Sequence, residues 1–319
     1  MNIGELRKLL AEAPDDTDIE SLLPTKEVIK SVKQEIATDI PIEGAVCCIR
    51  HSANPGDIVA AMICCKRYYE ITKRKVRFLQ AINFKANYYQ GAKHGTVDEK
   101  GELVTLNRPM FEMMKPLVES QEYISSFEVY EGQKIDIDFD VIRGRTFVNM
   151  PQGSIQAWLF YAYPDLESDI SKPWIFLDKE KRQIEEVTKG KVLVNFTERY
   201  RNGKIALDYF FLKGYAPDLI FAGTEAEHFK FCSQWGIHSV PRLEVKDFLE
   251  LAYAIRGCRF LLSNQSLCWN TATSIGTARV LEVCDWAHNC MPFYGEDNKG
   301  FFHQAGLEYY FREMYDKHK

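Results

Sequence analysis

A strand–helix alternation repeated through the second half of the chain limits the fold more than any other feature. Val192-Leu193-Val194-Asn195-Phe196, Leu219-Ile220-Phe221-Ala222-Gly223, Arg259-Phe260-Leu261-Leu262 and Arg279-Val280-Leu281 are short apolar runs. Such runs suit strands covered on both faces. Between them, Ile205 to Lys213, Glu225 to Trp235, Val245 to Ile255 and Ser266 to Ile275 carry apolar residues at helical spacing, with Phe248, Leu249, Ala252 and Ile255 on one face. Strands separated by helices pair in parallel, so the pattern describes a doubly wound, Rossmann-like domain.

The first half repeats the pattern less regularly. Ala45-Val46-Cys47-Cys48-Ile49 reads as a strand, Arg50 to Gly56 as a polar loop, and Asp57 to Thr72 as a helix with Ile58, Met62, Cys65 and Tyr69 along one stripe. Val76 to Leu79 returns as a strand. A helix at Pro109 to Glu119, strands at Ser126 to Tyr130 and Ile135 to Ile142, and a helix at Ser154 to Tyr161 follow. The predicted fold is α/β: two Rossmann-like domains facing one another across a cleft, with an N-terminal helical extension. The expected divisions are the extension at 1–40, a first Rossmann-like domain at 41–170, a second at 171–302 and a terminal helix at 303–319. The linker is placed at Pro164 to Pro173, and the last helix, with Leu307, Tyr310, Phe311 and Met314 apolar, suits either domain. Asn83 to Asn107 is longer than an ordinary connection and marks a candidate functional loop.

Composition narrows the function. Hydrophobic residues make up 46% of the 319 and charged residues 27%, which supplies a core and argues against disorder. Forty Lys+Arg against forty-five Asp+Glu leave a formal charge of -5, so a nucleic-acid site would have to be a local patch. No run approaches the roughly 18 apolar residues of a membrane span, and MNIGELRKLLAEAPDD lacks the apolar stretch of a signal peptide. A cytoplasmic protein is expected. The nine cysteines form no C-x-x-C and read as reduced, mostly buried thiols, while the sequons at Asn195 and Asn264 carry no weight without an export signal.

Chemistry is concentrated at a few loops. Asp57 follows a strand and a Pro-Gly loop and opens a helix, which puts a carboxylate at the sheet edge where α/β folds bind ligands. That position suits a general base; helix capping is the plainer explanation. His51 and Asn54 stand in the same loop as further candidates, and His51 is equally a hydrogen-bonded structural histidine.

From Gly56-Asp57-Ile58 onward the chain resembles the ADP-heptose:lipopolysaccharide heptosyltransferase family, also called glycosyltransferase family 9. The likeness runs weakly over about 270 residues, through Val194 to Lys204, Ala222-Gly223-Thr224 with Glu227, and Leu261-Leu262-Ser263-Asn264-Gln265-Ser266. The resemblance implies a GT-B glycosyltransferase that inverts configuration, needs no metal or other cofactor, and moves a sugar from a nucleotide-diphosphate donor to a glycan, lipid-linked or other hydroxyl acceptor. Asp57 would be the base, His51 and Asn54 would stand on the acceptor side, and 41–170 and 171–302 would be the acceptor-side and nucleotide-sugar-binding domains. Arg199, Arg201 and Lys204, bunched after a buried strand, would meet the diphosphate, although basic loop residues are more often merely solvated. The family's Asp-Ser/Thr-Gly-x-x-His stretch here reads Asn264-Gln265-Ser266-Leu267-Cys268-Trp269. Asp has become Asn, Gly Ser and His Trp, a departure that bears on heptose recognition. Asn264, Gln265 and Ser266 still precede a helix whose N–H groups suit phosphate.

Other signals have ordinary explanations. Glu282 follows a strand and is either a ribose or sugar contact or a surface carboxylate. Asp136-Ile137-Asp138 matches a D-x-D metal motif, but the alternation of Ile135, Ile137, Phe139 and Val141 with acids predicts a half-exposed strand with a solvated acidic face. The cations Lys66, Arg67, Lys73, Arg74, Lys75 and Arg77 complement a helix end. No metal ligand set is expected. The alternatives to a glycosyltransferase are a catalytically silent GT-B protein that binds a nucleotide sugar or partner, and a nucleotide-sugar epimerase.

Overall fold

The computed structural model describes residues 44–85, 96–143, 152–203, 205–287, 289 and 295–319. The expected extension at 1–40 lies outside the described residues, as does Lys204. The first lobe holds strands β1 (Val46–His51), β2 (Lys75–Gln80), β3 (Ile124–Val129) and β4 (Ile137–Asp138) in the order β3-β2-β1-β4, all parallel. Helices α1 (Pro55–Thr72), α2 (Arg108–Glu119) and α3 (Ile155–Ala162) pack with it. The second lobe begins with the short helix α4 (Gln183–Thr188) and holds β5 (Val192–Asn195), β6 (Leu219–Ala222), β7 (Arg242–Leu243), β8 (Phe260–Asn264), β9 (Arg279–Glu282) and β10 (Asn298–Phe301). Its order, β10-β9-β8-β5-β6-β7, is again all parallel. Helices α5 (Glu225–Trp235), α6 (Phe248–Gly257), α7 (Leu267–Ile275) and α8 (Gln304–Lys317) complete it. Strand order reverses between β5 and β8, and in the first lobe between β1 and β4, so each lobe has a crevice there at its strands' C-terminal ends.

Two sequence expectations are corrected. Ile135 to Ile142 is not a strand with a solvated acidic face: only Ile137–Asp138 pairs, and Phe139–Arg143 is a 3-10 helix. The acids turn inward to fasten β1: Asp136 Oδ2 accepts from Cys48 N at 2.9 Å, and Asp140 Oδ1 from Ser52 N at 2.8 Å. The region Ile205 to Lys213 is not an α-helix either. A 3-10 helix forms later, at Phe210–Asp218, where Gly214 and Pro217 disfavour α-helical continuation. The short strands β7 and β10 and helix α4 are additions that periodicity did not reveal.

α1 is buried almost all round over its first three turns, from Ile58 through Cys65, rather than along one stripe. The reason is that it covers the first sheet and also packs on α7 of the second lobe. A second seam joins α2 to α6. Trp174, in the connection between lobes, is fully buried; its Nε1 donates to Val59 O of α1 at 2.8 Å and its backbone N to Ser274 O of α7 at 2.9 Å. One continuous apolar core therefore runs through both lobes, including Ile58 and Phe111 of the first and Leu251, Leu261 and Ala272 of the second. α8 settles on the far face of the second lobe, with Phe311 against Phe260 at 5.4 Å.

Burial pushes the thiols of Cys47, Cys258 and Cys268 up to about 12. They are packing residues, inert at neutral pH. The basic cluster is absorbed locally: Lys66 and Arg67 reach Glu70, and Arg77 reaches Glu128. No helix among the described residues is long and apolar enough to cross a membrane.

Candidate active site

Between the lobes lies a cleft of about 750 Å³. Asn54 and Asp57 line it from the first lobe; Arg199, Gln265 and Ser266 line it from the second. Five of the residues singled out in the sequence are thus gathered at one place. Asn54 accepts backbone bonds from Asp57 and Ile58, each at 3.0 Å, so Asn54 occupies the cap position of α1 and Asp57 its first turn. The approach between lobes is close. A Cβ on Gly56 would lie 3.1 Å from Asn270 Nδ2 and 3.4 Å from Leu267 N, so a larger residue there would press on the start of α7.

The rim of the second lobe is fixed by a polar chain. Asn195 Nδ2 donates to Ala222 O at 2.7 Å, Ser266 Oγ donates to Asn195 Oδ1 at 2.7 Å, and Trp269 N donates to Ser266 Oγ at 3.3 Å. β6, β5 and α7 are tied together at the bottom of the cleft. Asn195 was not singled out for a site role; the signal available was a carboxamide closing an otherwise apolar strand. Thr96, Asn107 and Met110, from the long segment after β2 and the start of α2, also line the cleft.

Four of the remaining candidates lie elsewhere. Arg201 Nε sits 3.0 Å from both carboxylate oxygens of Glu282, which is 1% exposed and also accepts from Asn202 N at 2.8 Å and Tyr209 Oη at 2.6 Å. The Arg201 guanidinium also packs over the Phe196 ring, 4.6 Å from its centroid. The two charges are spent on one another, off the cleft lining, with the carboxylate buried and the arginine side chain 31% exposed. Asn264 is fully buried and turned onto the loop after β5. His51 is buried beneath the Asn54–Asp57 loop, its Nδ1 3.0 Å from Asp140 Oδ1.

Asp140 shows why that support matters. Burial alone would raise its pKa, but the hydrogen bond and charge of His51 and the Ser52 N–H outweigh it and hold the carboxyl down at about 2. A carboxylate with a depressed folded pKa stabilises the fold above the unfolded value of about 3.9, and that contribution is lost as pH falls through about 2. Wild type should therefore exceed Asp140→Asn in stability by about 2 kcal/mol at pH 6, with the gap closing between roughly pH 4 and pH 2. Urea melts of both proteins across that range check it; a gap independent of pH would show that the ionised carboxylate is not what holds the loop.

Two helix starts open on the cleft, and they differ. In α5 the Glu227 carboxylate already caps, accepting from Thr224 N and Oγ1 at 2.9 Å. α7 carries no acid in its first turn, so the N–H groups of Leu267 and Cys268, which have no partner within the helix, present positive potential to the cleft. Arg199 adds a cation beside it. The arrangement offers a carboxylate on one wall and an anion-binding helix start on the other. Among the described residues no cluster of three or more His, Cys, Asp or Glu has metal-binding geometry.

No protein-family model matches the chain, and no curated protein matches it in sequence. Solved structures do match in shape. ADP-heptose lps heptosyltransferase II of E. coli aligns at a TM-score of 0.50 and 7% identity, over 85% of this chain and 99% of that one. A glycosyl transferase family 9 protein of Veillonella parvula DSM 2008 aligns at 0.45 and 11%, over 75% and 80%; E. coli heptosyltransferase WaaC with ADP-2-deoxy-2-fluoro heptose aligns at 0.44 and 9%, over 83% and 98%. With two parallel sheets meeting across a cleft, the chain has the two-lobed, Rossmann-like GT-B fold in a divergent, heptosyltransferase-like form.

Proposed function

We propose that this protein is an inverting, metal-independent glycosyltransferase that moves a sugar from a nucleoside-diphosphate donor to an acceptor hydroxyl. The observation that carries the reading is the confrontation of Asp57 with the start of α7 and Arg199 across one cleft. The fold shared with the E. coli heptosyltransferase II supports it.

In this reading the acceptor hydroxyl enters beside Asn54 and Asp57. Its oxygen attacks the anomeric carbon as its proton passes to the Asp57 carboxylate, and the bond from that carbon to the diphosphate oxygen breaks on the opposite face. Configuration inverts in one displacement. Negative charge grows on the departing diphosphate, where the N–H groups at the start of α7, the side chains of Gln265 and Ser266, and Arg199 stabilise it. Lys204 is assigned to the same group from the sequence. Arg201 and Glu282, already paired, act by holding the loop on which Arg199 stands. The two helical seams hold the lobes close together, which keeps the two walls of the cleft opposed.

A thermal-shift screen with ADP, UDP, GDP and CMP and their sugars tests the assignment. One nucleotide class is expected to stabilise the protein by roughly 2.7 kcal/mol at a hundred times its dissociation constant. Its sugar form should then be consumed when acceptors are added, giving a product of inverted anomeric configuration by NMR. Stabilisation by none of them would overturn the reading; binding without turnover on any acceptor would leave a sugar-nucleotide-binding protein instead.

A further inference from the structure

We infer that Asn264 is a positioning residue: it clamps the turn Thr197–Tyr200 so that Arg199 faces the cleft, and it makes no contact with ligand itself. The inference rests on the glycosyltransferase reading for the identity of the ligand, and on the geometry alone for the clamp.

Asn264 ends β8 beside the point where strand order reverses, and its side chain is fully buried. Every hydrogen bond of its carboxamide goes to the neighbouring loop. Oδ1 accepts from Thr197 N at 3.1 Å, and Nδ2 donates to Thr197 O at 3.1 Å, to Thr197 Oγ1 at 3.2 Å and to Arg199 O. Thr197 Oγ1 donates to Arg199 O at 3.3 Å and closes the ring of contacts. The turn needs a donor and an acceptor on one short side chain, because one backbone N–H and two carbonyls converge on it. A carboxylate there would satisfy the N–H and confront both carbonyl oxygens.

The backbone beyond the clamp is bent where bending is unfavourable. Tyr200 has φ of 52°, in the left-handed region that a bulky side chain seldom adopts. Such a conformation persists where its surroundings impose it. Asn264 does so on one side, and on the other the Tyr200 ring packs against Trp286 at 5.8 Å. Between these two anchors the Arg199 guanidinium lies over the Tyr200 ring, 5.5 Å from its centroid, and Arg199 lines the cleft. A loop released from Asn264 would relax at Tyr200 and carry the cation with it.

The test compares wild type, Asn264→Asp, Arg199→Ala and the double variant, all shown to be folded by cooperative melting. Amide exchange of residues 197–202 should rise about tenfold in Asn264→Asp. The Kd for the nucleoside diphosphate that stabilises wild type should rise by about one order of magnitude in either single variant, and the double variant should bind no more weakly than Arg199→Ala. That non-additivity separates positioning from general damage to the fold. Additive losses would overturn the inference, since Asn264 would then act other than through Arg199. Unchanged exchange would overturn the clamp. Failure of every nucleotide to bind wild type would remove the ligand half together with the function it rests on, while exchange still decides the clamp. Should Asn264→Asp not fold, Thr197→Val, which deletes the hydroxyl shared by Nδ2 and Arg199 O, is expected to give the same pattern at smaller amplitude, and its absence counts equally against the clamp.

Discussion

Replacing Asp57 with Asn lowers the rate of glycosyl transfer by a factor on the order of 10² to 10⁴ and leaves nucleotide affinity within about twofold. The substitution keeps the side chain's shape and removes its ability to take a proton. The start of α1 is set by Pro55 at its first position and by the Asn54 carbonyl, which accepts from the backbone of Asp57 and Ile58. The nucleotide-facing groups sit on the other lobe. The fold also loses the attraction between a carboxylate and the positive end of α1, about 0.3 to 1 kcal/mol. Asp57→Glu should also be slow, because the extra methylene displaces the carboxylate by about 1 Å in a cleft where position matters. Steady-state and single-turnover rates with the donor identified by the screen decide the matter. A rate near that of wild type, with melting unchanged, assigns the proton to another group.

The expected location of Asp57 was legible because it depends on a local rule: a strand, a short loop and a helix put their junction at the sheet edge. The start of α7 was legible for the same reason. The other candidates show where that rule stops. Arg201 and Glu282 stand at strand ends, where each is a candidate ligand contact or a solvated surface charge, yet they face one another across 81 positions of sequence. Charge and register place a side chain near the edge and leave its partner undetermined. Asn264 stands at the expected edge and points sideways, because backbone groups of the neighbouring loop fill its hydrogen-bonding capacity. Asp136 and Asp140 alternate with apolar residues as a half-exposed strand would, but each has a backbone N–H of β1 or its loop to accept from, and that bond overrides the periodicity. The seams between lobes were hidden in α1. Its apolar residues satisfy a stripe pattern, and the small residues Ala60, Ala61 and Cys64 that complete its circumference carry no mark of the second surface they cover.

Trp174→Ala should destabilise the protein by about 3 to 5 kcal/mol. The indole is fully buried where the chain passes between lobes, and removing it leaves a cavity bounded by α1 and α7. The neighbouring backbone cannot easily collapse into that space. Tyr123 Oη donates to Trp174 O at 2.7 Å, Gln121 Oε1 accepts from Phe176 N at 2.8 Å, and Ile175 N donates to Ser274 O at 3.1 Å, so the connection is pinned on both sides of the deletion. Trp174→Phe keeps most of the volume and loses the bond from Nε1 to Val59 O, whose net worth is about 1 kcal/mol. The ratio of the two losses separates cavity from hydrogen bond. Because the core is continuous through both lobes, urea unfolding of wild type should be one transition whether followed by tryptophan fluorescence or by far-ultraviolet dichroism. A Trp174→Ala loss below about 1 kcal/mol, or two separated transitions in wild type, would mean that the lobes fold independently and that the seams do not hold the cleft in its assembled form.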